Sequence, residues 1–203
     1  MRPQVLICVT LATAFVASAS DVRARAGLPS ALAIDVERST LTISVYKSGL
    51  FSAFADNHVV RARLKEGSLT PDPPAAASIV VHARDLEVLD PGLPADKRRE
   101  VQARMLGPEV LDADRYAEIA FASTAIQAAG SDDWTVTGEL RLHGRAHTLA
   151  FDVARSAGAY RGRVRIRQSD FGITPISIAG GTVKVKDELL VEFSIVARDL
   201  PPA

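Results

Sequence analysis

Cysteine occurs once, tryptophan once and histidine four times, and aromatic residues make up only 5% of the 203-residue chain. Cys8 lies in the leading apolar stretch, so a chain trimmed behind that stretch carries no disulfide and no thiol nucleophile. An excess of one charge is also missing, since 24 basic residues balance 24 acidic ones. That balance speaks against nucleic acid or an anionic membrane surface as a partner. No apolar run reaches the roughly 20 residues that a bilayer span requires. There is no Gly-x-Ser-x-Gly elbow and no glycine-rich phosphate loop opening a helix. The common nucleophilic and nucleotide-dependent chemistries therefore lack their residues, and the chain reads as a protein that is not an enzyme and needs no cofactor.

The longest apolar run, Val5 to Val16, follows the positive Arg2 and leads to Ala17-Ser18-Ala19, a small-x-small cleavage signature. Residues 1–19 are expected to be a signal peptide, which places the mature chain in the periplasm. Residues 20–31 mix small and charged side chains and read as a linker. Residues 32–203 are long enough for one domain with a substantial core.

Within that domain the dominant pattern has period two. Leu41, Ile43 and Val45 alternate with Thr42, Ser44 and Tyr46. Trp134, Val136, Gly138, Leu140 and Leu142 alternate with Thr135, Thr137, Glu139 and Arg141, and Tyr160, Gly162, Val164 and Ile166 alternate with four arginines. Such alternation marks strands with one apolar and one solvated face. Eight strands are predicted, over 41–47, 57–66, 78–84, 118–127, 133–142, 147–155, 159–167 and 188–198. Turn residues such as Pro71-Asp72-Pro73-Pro74, His143-Gly144 and Ser156-Ala157-Gly158 separate them. One stretch breaks the period. Pro94 to Leu106 reads as a helix, with Asp96 as candidate N-cap and Val101 and Met105 on one face, ended by Gly107-Pro108. The insert as a whole spans about 94–112.

Eight amphipathic strands joined mostly by short turns predict an all-β, eight-stranded antiparallel barrel with one helical insert able to cover an open end. A barrel of this size holds side chains or one small apolar ligand. Three alternatives stay open: an outer-membrane barrel, a structural barrel or sandwich without ligand, and an enzyme using the cavity. Scarce aromatics weigh against the first.

Four segments resemble the YceI-like family of exported bacterial proteins. They are Lys47-Ser48-Gly49-Leu50-Phe51-Ser52-Ala53-Phe54, Val110 to Ser123, Thr137-Gly138-Glu139-Leu140-Arg141-Leu142-His143-Gly144, and Ser169-Asp170-Phe171-Gly172-Ile173. Ala117 stands where that family usually has proline. Ala55-Asp56-Asn57-His58 stands where some relatives carry Gly-His-Asp-His. The resemblance implies a lipocalin-like barrel whose cavity holds a polyisoprenoid or similar lipid tail, for transport or storage rather than catalysis.

The inward set predicted to line that cavity is Val45, Phe51, Phe54, Val81, Met105, Val110, Ile119, Phe121, Leu140, Leu142, Phe151, Phe171 and Ile173. Phe51, Phe54, Met105, Phe171 and Ile173 are placed at its mouth, because they fall in turns or on the insert. His143 and His147 are four apart, but a strand–turn–strand does not bring such a pair onto one face, so no metal site is expected. His58 is expected at a turn or rim, and His82 facing outward. Arg161, Arg163, Arg165 and Arg167 form a basic stripe about 7 Å in repeat. Carboxylates of a neighbouring strand, or an acidic partner, could meet it, and a homodimer stays open.

Overall fold

In the computed structural model residues 31–48, 57–178 and 183–198 are described. The strands are β1 (Leu32–Ala33), β2 (Thr40–Ser48), β3 (His58–Thr70), β4 (Ala76–Val88), β5 (Glu118–Ala128), β6 (Asp133–Leu142), β7 (Arg145–Ser156), β8 (Ala159–Arg167), β9 (Ser177–Ile178) and β10 (Val183–Ile195). Helix α1 (Ala95–Leu106) stands between β4 and β5. Eight of these strands close a barrel in the order β2, β3, β4, β5, β6, β7, β8, β10 and back to β2, every neighbour antiparallel. The two-residue β1 and β9 are additions, pairing with β3 and β10.

Hairpin chemistry sets the tight part of the wall. β6 and β7 pair from Asp133↔Ala154 to Leu142↔Arg145 around His143 and Gly144, whose φ values are 51° and 71°. β7 and β8 turn through Ala157 and Gly158 at 50° and 74°. Two-residue loops with both φ positive twist in the sense that antiparallel strands require, which makes glycine the natural second residue.

Several boundaries differ from the sequence expectation. β4 runs on to Val88, β7 starts at Arg145 and β10 starts at Val183 rather than 188. The early part of β10 is Lys-rich, and its register against β2 shifts between Val185 and Leu189, so its alternation is interrupted. The helix begins one residue after Pro94, which occupies the N-cap position with extended backbone and no side-chain cap. Asp96 is therefore not the N-cap. It lies in the first turn, where its charge faces the positive end of the helix dipole.

The barrel wall is not uniformly sealed. β7 pairs with β8 only from Val153↔Gly162 to Ser156↔Ala159, so the two strands separate towards Arg145 and Arg167. The 3₁₀ turn Gln168–Phe171 packs there against β7, β8 and β10. Phe171 is 0% exposed and its ring meets that of His147 on β7 at 5.9 Å. At the end formed by Thr40, Asp133, Ser156 and Ile195, β1 crosses the rim. Its neighbour Ile34 is buried and bridges to Ala197. The opposite end, formed by Ser48, His58, Val88, Glu118, Leu142 and Arg167, carries α1.

Candidate functional site: an apolar cavity inside the barrel

The inner faces of the strands do not meet in the middle. They enclose a cavity of about 620 Å³, bounded by all eight barrel strands, Ile34 and one face of α1. That volume lies within the range of roughly 300–1,000 Å³ usual for small-molecule sites. The space arises from the distribution of large and small side chains around one belt. Phe121, Phe151 and Phe193 come from β5, β7 and β10, and the intervening strands contribute Gly138 and Gly162. A Cβ on Gly138 would collide with the Phe121 ring, and one on Gly162 with the Phe193 ring. The rings therefore lie over bare backbone instead of pointing across the lumen. Phe151 stands 5.5 Å from Phe121 and 5.6 Å from Phe193, in the tilted and edge-on geometries that aromatic pairs prefer. Nearer the β1 end, Trp134 and Tyr160 approach to 5.7 Å.

Of the residues predicted to line this space, Val45, Val81, Met105, Val110, Ile119, Phe121, Leu140, Leu142, Phe151 and Ile173 are on its wall. Phe51 and Phe54 lie outside the described residues. Phe171 is a correction. It is not on the cavity wall but wholly enclosed in the turn that fills the separation between β7 and β8. An aromatic residue in a turn needs burial, and the gap in the wall supplies it. Sequence reasoning missed Phe193, Trp134, Tyr160 and Val101 as wall residues. Phe193 shares the inner face of β10 with Leu189 and Val191, so the alternation already pointed to it.

Polar groups gather at the helix-covered end. His58 lies on the wall, and its Nδ1 is 2.5 Å from Oδ2 of Asp90. Asp90, 6% exposed, also accepts a 2.8 Å hydrogen bond from the Val59 N–H through Oδ1. The β3–β4 register, with Val60 opposite Val88, carries 58 opposite 90 two residues further on. Above them, the Gln102 amide donates to the Leu86 carbonyl at 2.7 Å and accepts from the Val88 N–H at 2.8 Å, pinning α1 to the end of β4. Val101 and Met105 of the helix face the cavity.

The remaining histidines serve local structure. His143 Nδ1 is 3.2 Å from the Phe171 carbonyl and its ring packs on Tyr116 at 4.6 Å. His147 Nε2 lies 3.7 Å from Asp170, and His82, partly exposed, lies near Asp85 and Glu118. Among the described residues, no three of His, Asp or Glu gather as a metal site would require. On the outside, the arginine stripe meets β10: Arg165 Nε is 3.1 Å from Glu188, Arg163 is opposite Glu192, and Arg161 Nε donates to the Ser194 hydroxyl at 3.3 Å. A face so charged offers lipid no continuous apolar band there.

A model of the YceI-like domain matches residues 32–197. No curated protein matches the chain. Among solved structures, the Burkholderia cenocepacia protein BcnA is similar with 20% identity and a TM-score of 0.64, over 81% of this chain and 99% of its own. A polyisoprenoid binding domain from Saccharophagus degradans, implicated in plant cell wall breakdown, is similar with 16% identity and a TM-score of 0.58, over 83% of this chain and 98% of its own. Both likenesses are likenesses of fold.

Proposed function

The chain belongs to the YceI-like domain family, and from that premise we propose that it is a carrier that holds a polyisoprenoid or similar lipid tail inside the barrel, in the periplasm. The observation that carries the reading is the cavity itself, about 620 Å³ of space walled by Phe121, Phe151, Phe193, Trp134 and aliphatic side chains. Each CH₂ group moved from water into such a wall is stabilised by about 0.8 kcal/mol. Ten buried carbons thus offset much of the several kcal/mol lost on association. A tail needs few polar contacts and no catalytic geometry, which fits a mostly apolar wall whose charged groups are confined to one end. The structure of a polyisoprenoid binding domain with the same fold adds support. The Arg2 to Ala19 segment supports export.

Native mass spectrometry of protein released from the periplasm is the test. The expected outcome is a mass excess that solvent extraction identifies as a long apolar chain. Protein that arrives empty, and retains no added polyprenol, would overturn the reading.

A further inference from the structure

The barrel has a seam along one side. β7 stays paired with β6 down to Arg145, and β8 with β10 up to Arg167, but β7 and β8 meet only from Val153↔Gly162 to Ser156↔Ala159. Among the described residues, no strand pairs with the edges that face each other across the rest of the seam, 145–152 and 163–167. A polar pocket opens on the seam from outside, with His147, Arg165, Asp170 and Glu188 around it. Leu149 and Ile166 line that pocket too, and the same two side chains stand on the wall of the main cavity. They form the partition between the lumen and the outside.

The rest of the seam is closed by the turn Gln168–Phe171, with the Phe171 ring enclosed against His147. The turn is fastened to β10 by hydrogen bonds of its own side chains and one N–H. Asp187 accepts from the Ser169 N–H at 2.8 Å and from its hydroxyl at 2.6 Å, and the Gln168 amide donates to the Lys186 carbonyl at 2.9 Å. Water can replace such bonds, so releasing the turn breaks no strand ladder, whereas parting fully paired strands does. Burial of the Phe171 ring returns the turn to its closed position.

We propose that the ligand enters and leaves sideways through this seam, with the Gln168–Phe171 turn as the moving plug and Leu149 and Ile166 as the inner partition. The proposal rests on the carrier reading and adds to it the route into the cavity.

A reversible lock tests the route. The Ser169 and Asp187 side chains already touch, as a disulfide requires, and the mature chain has no cysteine to compete, so Ser169→Cys/Asp187→Cys fixes the turn to β10 when oxidised. The probe is retinol, a neutral isoprenoid alcohol whose absorption overlaps tryptophan emission, and Trp134 on the cavity wall reports its arrival by energy transfer. The oxidised variant is expected to take up and release retinol at least tenfold more slowly than the same protein reduced, with unchanged affinity, because a gate alters both rates together. Leu149→Ala, which thins the partition, should speed both rates severalfold. Gln102→Leu, which loosens α1 at the barrel end, should leave both rates as in wild type. Equal rates in the oxidised and reduced forms overturn the proposal, as does a Leu149→Ala variant that exchanges no faster. Faster exchange in Gln102→Leu assigns entry to the helix-covered end and overturns it too. In all these cases retinol still binds and the carrier reading stands. If wild type shows no energy transfer to retinol at any concentration, the carrier reading fails and the route with it.

Discussion

A carboxylate as enclosed as Asp90 must be met by donors, because an unpaired charge in that position would cost several kcal/mol. Its two donors, the Val59 N–H and the His58 ring, come from the first residues of β3, so one side chain ties the start of that strand to the chain entering α1. Asp90→Ala leaves the backbone N–H without a partner and frees the imidazole. The expected cost is about 2–3 kcal/mol, read as a lower denaturant midpoint with unchanged slope. Asp90→Asn keeps an acceptor for Val59 and should lose less. Equal losses in the two variants would show that the carboxylate charge, not the satisfied N–H, is what matters. His58 could be placed at a rim from its turn context, but its partner could not be read from sequence. Thirty-two positions separate the two residues, and only the β3–β4 register brings them together.

Helix α1 is an element with no fully buried residue, so its position depends on a few specific contacts. β5 leaves β4 after the Ala83 N–H bonds to the Ala117 carbonyl, and among the described residues the edge beyond has no strand partner. Gln102 takes the place of that strand with a single amide, serving both Leu86 and Val88. Gln102→Leu preserves the bulk and removes both bonds. It is expected to cost about 1–3 kcal/mol and to abolish hydrogen-exchange protection of the Val88 amide. If Val88 stays protected, the helix is held by Val101 and Met105 alone. The strands were legible wherever one face is apolar and the other solvated, as in β2, β6 and β8, and period two also pointed to wall residues such as Val45, Phe121, Leu140 and Phe151. What it could not deliver has physical reasons. β1 and β9 are too short to show a period, and the register shift in β10 interrupts one. Phe171 and Met105 both fall outside strands as large apolar residues, yet one plugs the wall and the other lines the cavity. Only the separation of β7 from β8 distinguishes them. Gln102, a polar residue on a mostly polar helix, carried no signal at all.

For the molecule as a whole, closure is where acid should act. Three carboxylates held below the ordinary range each join separate parts of the barrel. The Arg61 hydrogen bond, 2.6 Å long, lowers Glu87 across the β3–β4 pair against the opposing effect of burial, and Arg63 assists. Burial acts to raise Asp187 on β10, but the Ser169 hydroxyl and N–H, at 2.6 and 2.8 Å, outweigh it and fasten the turn that carries Phe171. Asp35 is likewise pushed up by desolvation and brought down further by Arg198 and nearby N–H groups, where β1 and the end of β10 strap the rim. A carboxyl whose folded pKa is depressed contributes stability that is fully present above its unfolded value and lost as pH falls through the folded one. With unfolded values near 4, stability from these groups should be level from about pH 7 to 5 and decline below about pH 4. Each exposed pair contributes little, so the decline should be gradual rather than a single step. Asp187→Asn should flatten part of it, because that side chain no longer titrates. The measurement is the denaturant midpoint against pH for both proteins, with ligand retention followed in parallel. If the Phe171 turn keeps the wall shut, retention should fall as the wild-type midpoint falls, and the variant should leak at neutral pH. A midpoint that stays level to about pH 3 in wild type would show that closure does not depend on these carboxylates, and that the apolar belt alone holds the barrel together.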